Sequence, residues 1–197
     1  GVGYDQPQLL YHASRDGFDG AAFHRLCDGQ APTLTLVRTE GDFVMGGYTD
    51  TCWQSNNAHA PSSAAFLFSL KNPMGMCPLT FPIKRAATAD AVLGHENLCA
   101  AFGRDDVHIK GQTISFNVGT TYELHLGLDG HTCMAGGASV KALEVEVYTP
   151  APLQKKEVAL QGTQLTKRVR MVSQHLEAAH GSMAAYLDQS ASAASRV

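Results

Sequence analysis

The sequence lacks the features that mark membrane-spanning, secreted and nucleotide-binding proteins. It has no run of about 18 apolar residues, which a membrane-spanning helix would need. It contains no N-glycosylation sequon and no C-x-x-C pair, and its odd number of cysteines, five, favours reduced thiols in the cytoplasm. Its glycines form neither a G-x-G-x-x-G fingerprint nor a P-loop. The 15 lysines and arginines are scattered and the net charge is −3, which argues against nucleic acid as a partner.

The sequence does contain a series of short apolar segments with turn signals between them. Segments rich in β-branched and aromatic residues alternate with turns that contain glycine and aspartate. This spacing is typical of an all-β sandwich or barrel with minor helices, so the expected fold class is mostly β with short helices (α+β). One helical turn is expected within residues 88–96. The predicted strands are 32–39, 43–49, 64–72, 78–84, 100–110, 113–119, 122–128 and 140–149.

The stretch from Ser14 to Gly29 predicts a turn followed by a short helix. Asp16 and Gly17 can close the turn, and Asp19 is placed to cap the N-terminus of the helix. Gly29 follows the last helical residues, as expected where a helix stops. Apolar residues at helical spacing give this helix one apolar face. The side chains expected to face the core are Phe18, Phe23 and Leu26.

The sequence changes character after the last predicted strand. Prolines end that strand, and residues 150–162 are predicted to be a linker. Residues 163–190 predict a long helix, and residues 191–197 a flexible tail. Two arrangements are open for the helix: it joins copies of the chain as a coiled coil, or it lies on its own β domain. The apolar seam, at alternating steps of four and three, consists of Leu165, Val169, Val172, Leu176, Ala179, Met183 and Tyr186.

His125, His131 and Cys133 are the candidate metal ligands, on a predicted hairpin around Asp129 and Gly130. A structural zinc site needs four ligands at recognisable paired spacing, and a catalytic site needs three plus an open position. Here the spacing is irregular and no second ligand cluster is evident. Polar positions on a solvated face explain these residues better. The sequence therefore predicts no metal site and no cofactor.

Cys27 and His24 form a candidate nucleophile and base because they lie one helical turn apart. A thiol near the end of a helix that has an apolar face is more often an inert apolar filler. The sequence contains no nucleophile-elbow motif that would strengthen the catalytic interpretation.

Two pairs of carboxylates are candidates for general acid–base chemistry. Glu144 and Glu146 share one face of a predicted strand. The same pattern is typical of the solvent-exposed face of an outer strand. Asp105 and Asp106 follow Gly103 and are interpreted as a turn leading into a strand.

Four motifs follow one another along most of the β portion of the chain. They are SRDGF (14–18), FHRLCD (23–28), GGYT (46–49) with Trp53 shortly after, and FLFSL (66–70). Together they resemble the TLDc domain family, which is found in oxidation-resistance proteins and their relatives. The resemblance implies a two-sheet antiparallel β-sandwich flanked by short helices over residues 8–149. The residues expected to form its binding or fold signature are Arg15, Asp16, Gly17, Gly46, Gly47, Trp53 and Asp105.

Within this signature, Arg15 and Asp16 are expected to bond to each other and to the backbone, fixing the helix to the sheet. The resemblance implies a non-catalytic protein-interaction module, since no established reaction or cofactor belongs to the family. Several members protect cells against oxidative damage, and several bind and regulate the vacuolar proton-pumping ATPase, so subunits of that pump are the implied partners. Two alternatives stay open, an enzyme of redox or hydrolytic type that uses a Cys/His or acidic site, and a purely structural scaffold.

Overall fold

The computed structural model describes residues 7–149, which form a mostly antiparallel β structure with a few short helices. Two α-helices lie near the start, α1 (Ala13–Asp16) and α2 (Gly20–Cys27), and a 3₁₀ helix spans Arg85–Asp90. The prediction of a mostly β fold is therefore confirmed. The strands are β1 (Gln8–His12), β2 (Thr33–Thr39), β3 (Val44–Thr49), β4 (Ala58–Ala60), β5 (Phe66–Lys71), β6 (Leu79–Pro82), β7 (Val92–Gly94), β8 (Ala101–Phe102), β9 (Val107–Lys110), β10 (Thr113–Phe116) and β11 (Ser139–Thr149).

All the strands belong to one hydrogen-bonded path, in the order β4-β7-β8-β9-β10-β11-β2-β3-β5-β6, with β1 added against β11. The central strand is β11, whose first residues pair with β10 and whose remaining length pairs with β2 and β1. The register of the β11–β2 pairing shifts between Ala142 and Glu144, close to the point where pairing with β10 ends. The 11-residue strand β11 takes part in both halves and joins them, with β4, β7, β8, β9 and β10 on one side and β1, β2, β3, β5 and β6 on the other.

Helix α2 begins and ends as its sequence predicts. Asp19 accepts a hydrogen bond from the Ala22 amide (2.8 Å), which pairs one of the free N–H groups of the first turn. Gly29, just past the end, has a φ of +75°, a left-handed conformation that glycine adopts without strain. Phe23 is fully buried, whereas Phe18 and Leu26 are partly buried and pack against the core.

The centre of the core is aromatic. The Trp53 ring meets Phe23 of α2 and Phe102 of β8 edge to face, with centroids 5.3 and 5.5 Å apart. Tyr11 of β1 packs on the other edge of Phe23 at 5.6 Å. The inward residues of β11, Val145 among them, complete the packing. Helix α2 is thereby fixed over strands from both halves of the path.

Four predicted elements differ in the structure. Residues 122–128 form no strand, and only Tyr122 makes an isolated bridge, to Ile83. The bridge consists of hydrogen bonds from the Glu123 amide to the Pro82 carbonyl and from the Lys84 amide to the Thr121 carbonyl, while the Tyr122 amide donates to the side chain of Asp106. The hairpin predicted around Asp129 is likewise absent, and the segment is a series of turns. The predicted strand 100–110 is two strands separated by a turn, and the predicted helical turn in 88–96 is the end of the 3₁₀ helix followed by β7.

The linker 150–162, the helix 163–190 with its seam, and the tail 191–197 lie outside the described residues. Among residues 7–149, no helix is long and apolar enough to cross a membrane.

Candidate functional site

The outward face of the central strands carries a shallow groove of about 280 Å³, which we call the β1–β11 groove. Its position follows from strand register, because Glu146 lies opposite both His12 and Leu36, and Glu144 lies opposite Arg38. Side chains two apart on a strand share a face, so the two glutamates point outward while Val145 between them is buried. The residues that line the groove are His12, Leu36, Arg38, Val44, Glu144 and Glu146.

The imidazole of His12 lies between the two carboxylates. Its Nδ1 is 3.6 Å from Glu144 Oε1 and its Nε2 is 3.5 Å from Glu146 Oε1. The Ser14 amide donates to Glu144 Oε1 (3.0 Å), and the Ser14 hydroxyl lies 3.1 Å from His12 Nδ1. Burial raises the pKa of Glu144, but hydrogen bonds from Ser14 and Val145 and the nearby His12 outweigh burial, so the net pKa is lowered. Glu144 is therefore held as a carboxylate at neutral pH.

This arrangement fits ion pairing better than proton transfer. A general acid needs a carboxyl pKa raised toward neutrality, and the pKa of Glu144 moves the other way. The predicted carboxylate pair is thus brought together as a charged surface beside a histidine, at the edge of an open groove.

Arg15 and Asp16 form the bidentate ion pair expected from the sequence. Arg15 donates to both carboxylate oxygens at 2.8 and 2.7 Å, and the His12 amide donates to Asp16 Oδ2 at 2.9 Å. The hydrogen bond from Arg15, the largest cause, lowers the pKa of Asp16 to about 2. The hydrogen bonds of the pair link α1 to the end of β1. With 57% of its side chain exposed, Arg15 is a surface residue beside the groove.

The glycines of the signature serve close packing. Gly17 has a φ of +108°, and its carbonyl accepts the buried Tyr11 hydroxyl at 2.6 Å. A Cβ on Gly46 would lie 1.9 Å from the Thr35 carbonyl oxygen, and a Cβ on Gly47 would lie 2.6 Å from the Phe102 ring. Neither position has room for a side chain.

The remaining signature residues also lie away from the groove. Trp53 is buried, and its indole N–H donates to the Thr33 hydroxyl at 2.8 Å. Asp105 is exposed in the turn before β9. Its neighbour Asp106, which sequence reasoning left as a turn residue, is fully buried and accepts hydrogen bonds from four backbone amides.

The groove contains two residues that sequence reasoning missed, His12 and Arg38. The alternation of residues in β2 indicates that Arg38 and Leu36 share one face. That this face lies beside β11 and β1 follows only from the order of the strands in the sheet.

The candidate Cys27–His24 pair is not assembled. His24 Nδ1 is 2.7 Å from Asp28 and its Nε2 is 3.0 Å from the His95 carbonyl oxygen, so both ring nitrogens have other partners. Burial raises the pKa of the Cys27 thiol to about 12. A nucleophilic cysteine requires the opposite shift. Burial also raises the pKa of Cys99 and of Cys133 to about 11.

The candidate metal ligands do not converge either. His125 Nε2 lies 2.6 Å from the Thr80 carbonyl oxygen, His131 Nδ1 lies 2.8 Å from the Phe116 carbonyl oxygen, and Cys133 is buried. Within residues 7–149, no group of three or more His, Cys, Asp and Glu side chains is placed to hold a metal ion.

Comparison with known protein families identifies a domain that spans the described residues. The model of the TLDc domain matches residues 2–150, which is most of the chain and includes every described residue. The matched range contains the β1–β11 groove and all seven signature residues.

Proposed function

The chain belongs to the TLDc domain family, and from that premise we propose that it is a non-catalytic protein-interaction module whose partner docks on the β1–β11 groove. Membership indicates an interaction module related to oxidative-stress protection. The observation that carries the proposal is the groove itself, where the apolar side chains of Leu36 and Val44 line the same surface as charged side chains. Protein interfaces combine these same two components, an apolar centre and a polar rim.

The charges of the groove favour a cationic residue of the partner. Glu144 and Glu146 project from the same strand face, and His12 between them is at 3.5–3.6 Å, longer than a hydrogen bond. A lysine or arginine of the partner can therefore approach both carboxylates. Arg38, on the neighbouring strand, would pair with an acidic residue of the same partner and fix the direction of docking.

A non-catalytic role is supported by the candidate reactive groups themselves. The raised pKa of the Cys27 thiol and the lowered pKa of the Glu144 carboxyl both oppose the redox and hydrolytic alternatives. The proposed partners are subunits of the vacuolar proton-pumping ATPase, and the proposed location is the cytoplasm, where the peripheral sector of that pump lies. The support for these partners is membership of the TLDc domain family.

A pull-down with paired charge variants tests the groove. The full chain is immobilised, and intact pump or its peripheral sector is passed over it at low salt with and without nucleotide. We expect pump subunits to be retained, and the double variant E144Q/E146Q to retain about tenfold less, because it removes the carboxylates that pair with the partner.

The matched control is E96Q/E123Q, which removes the same number of charges from two exposed residues outside the groove. No recovery of pump subunits by the parent chain would exclude the pump as partner. An equal loss with both double variants would mean that net charge, and not the groove, controls binding.

We also propose that residues 163–190 join copies of the chain through the predicted seam. The support is the heptad spacing of Leu165, Val169, Val172, Leu176 and Met183. Light scattering should give an oligomer for the full chain at tens of micromolar and a monomer for the chain truncated after Pro150. Substituting lysine for Leu165 and Leu176 should convert the full chain to monomer. If the untruncated chain is already monomeric under these conditions, the helix does not self-associate.

A further inference from the structure

The loop between β5 and β6 carries three exposed side chains that contain sulfur. Met74 and Met76 are 46% and 37% exposed, and Cys77 beside them is exposed as well. Residues 7–149 contain four exposed large apolar side chains, so this loop holds half of them. We call the three side chains Met74, Met76 and Cys77 the sulfur tip. Unlike the groove, which contains two glutamates, the loop that carries the sulfur tip has no acidic residue between positions 72 and 78.

The backbone that presents the sulfur tip is held in place. The buried side chain of Asn72 donates to the Met76 carbonyl oxygen (3.1 Å) and accepts from the Met76 amide (3.0 Å). The Gly75 amide donates to the Asn72 carbonyl oxygen at 3.2 Å, and Gly75 reverses the chain with a φ of +63°. Pro73 and Pro78 restrict the backbone on either side. A loop ordered in this way loses little conformational entropy when its side chains bind a ligand.

Thioether and thiolate are soft ligands, which select Cu(I) over the harder divalent ions. Methionine is unbranched and has three rotatable bonds, so two thioethers beside a thiol can turn toward one ion. We propose that Met74, Met76 and Cys77 bind one Cu(I) ion. On binding, the Cys77 sulfur forms a bond to the metal and its proton goes to solvent, while copper stays in the Cu(I) state.

The other thiols compete poorly for the ion. Cys27, Cys99 and Cys133 are each at most 1% exposed. Cys52 is partly exposed and is followed directly by the buried Trp53, with no methionine near it in sequence. Among the described residues, the sulfur tip is therefore the place where exposed soft ligands occur together.

The test is a competition titration of the reduced full chain under anaerobic conditions, with Cu(I) supplied as its bicinchoninate complex. The parent chain should remove one Cu(I) per chain, and X-ray absorption should show a coordination shell of sulfur. C77S and the double variant M74L/M76L should each weaken binding by at least about tenfold, as expected when metal ligation is disturbed. The control C52S should bind like the parent. Because all these side chains are exposed or partly exposed, far-UV circular dichroism should be unchanged.

Three results would overturn the site. Parent-like binding by M74L/M76L would mean that a lone thiol captures the ion. Removal of one Cu(I) by two chains would mean that Cys77 bridges molecules. Equal competition by Zn²⁺ would show that soft-ligand selection is absent. None of these readouts depends on the β1–β11 groove, so the copper site and the protein-binding proposal succeed or fail separately.

Discussion

Replacing Trp53 with alanine should lower the free energy of unfolding by about 3–5 kcal/mol, the usual cost of deleting a large buried aromatic side chain. The ring is 1% exposed and lies between Phe23 of α2 and Phe102 of β8. The deletion would leave a cavity at the meeting point of the helix and the two halves of the sheet. It would also leave the buried Thr33 hydroxyl without its indole donor. Urea denaturation followed by far-UV circular dichroism measures the loss, since W53A has no tryptophan for fluorescence.

Two further variants separate the contributions of this side chain. W53F keeps an aromatic ring in the site but removes the N–H, so it should cost clearly less than W53A. L126A removes a large side chain that is 94% exposed and should change stability by no more than about 0.5 kcal/mol. If W53A were as stable as L126A, Trp53 would be a surface residue and its place in the signature would have to be a binding role.

The local elements could be predicted because their causes are local. The N-cap Asp19, the stop at Gly29 and the apolar face around Phe23 each depend on residues within the same dozen positions, and the structure confirms them. The segments 32–39 and 43–49 were also identified, as β2 and β3, since β-branched alternation and a turn lie next to each other in sequence.

The groove could not be predicted because its residues meet only through strand order. Alternation in β2 divides its side chains into two faces but does not say which face is inside. The structure buries Thr33, Thr35 and Val37, and leaves Leu36 outward to line the groove. The reason is on neighbouring elements, where Trp53 binds the Thr33 hydroxyl and Gly47 lies opposite Thr35. His12 reaches the glutamates only because β1 pairs with β11, more than a hundred residues away in sequence.

Of two adjacent aspartates, the sequence interpretation selected the exposed one. Asp105 and Asp106 have the same chemistry and occupy the same turn, so composition does not distinguish them. The difference comes from the loop after β10, whose amides converge on Asp106 from 13 to 16 positions further along the chain. The same convergence engages the amide of Tyr122, the first residue of the predicted strand 122–128, with a carboxylate.

Replacing Asp106 with alanine should therefore be among the most damaging changes in the domain. Three amides, of Gly119, Thr120 and Tyr122, donate to Oδ1 at 3.0–3.1 Å, and the Thr121 amide donates to Oδ2 at 2.8 Å. A buried donor left unpaired costs about 1–3 kcal/mol, so we expect a loss of about 3–5 kcal/mol once water has entered and paired with some of the four. Urea denaturation gives the total, and amide hydrogen exchange at these four residues should accelerate more than elsewhere.

Matched substitutions at the neighbouring position isolate this effect from charge. D106N preserves shape and can keep the amide contacts of one oxygen, but its NH₂ group would face a backbone donor, so its cost should lie between those of the parent and D106A. D105N and D105A make the same changes in charge and size at an exposed residue, and should stay within about 0.5 kcal/mol of the parent. If D105A were as destabilising as D106A, the turn as a whole would matter and not the buried carboxylate. A carboxylate that orders a loop must release the loop's amides when it is removed. If D106A lost stability without faster exchange at residues 119–122, the loop would therefore be held by other contacts.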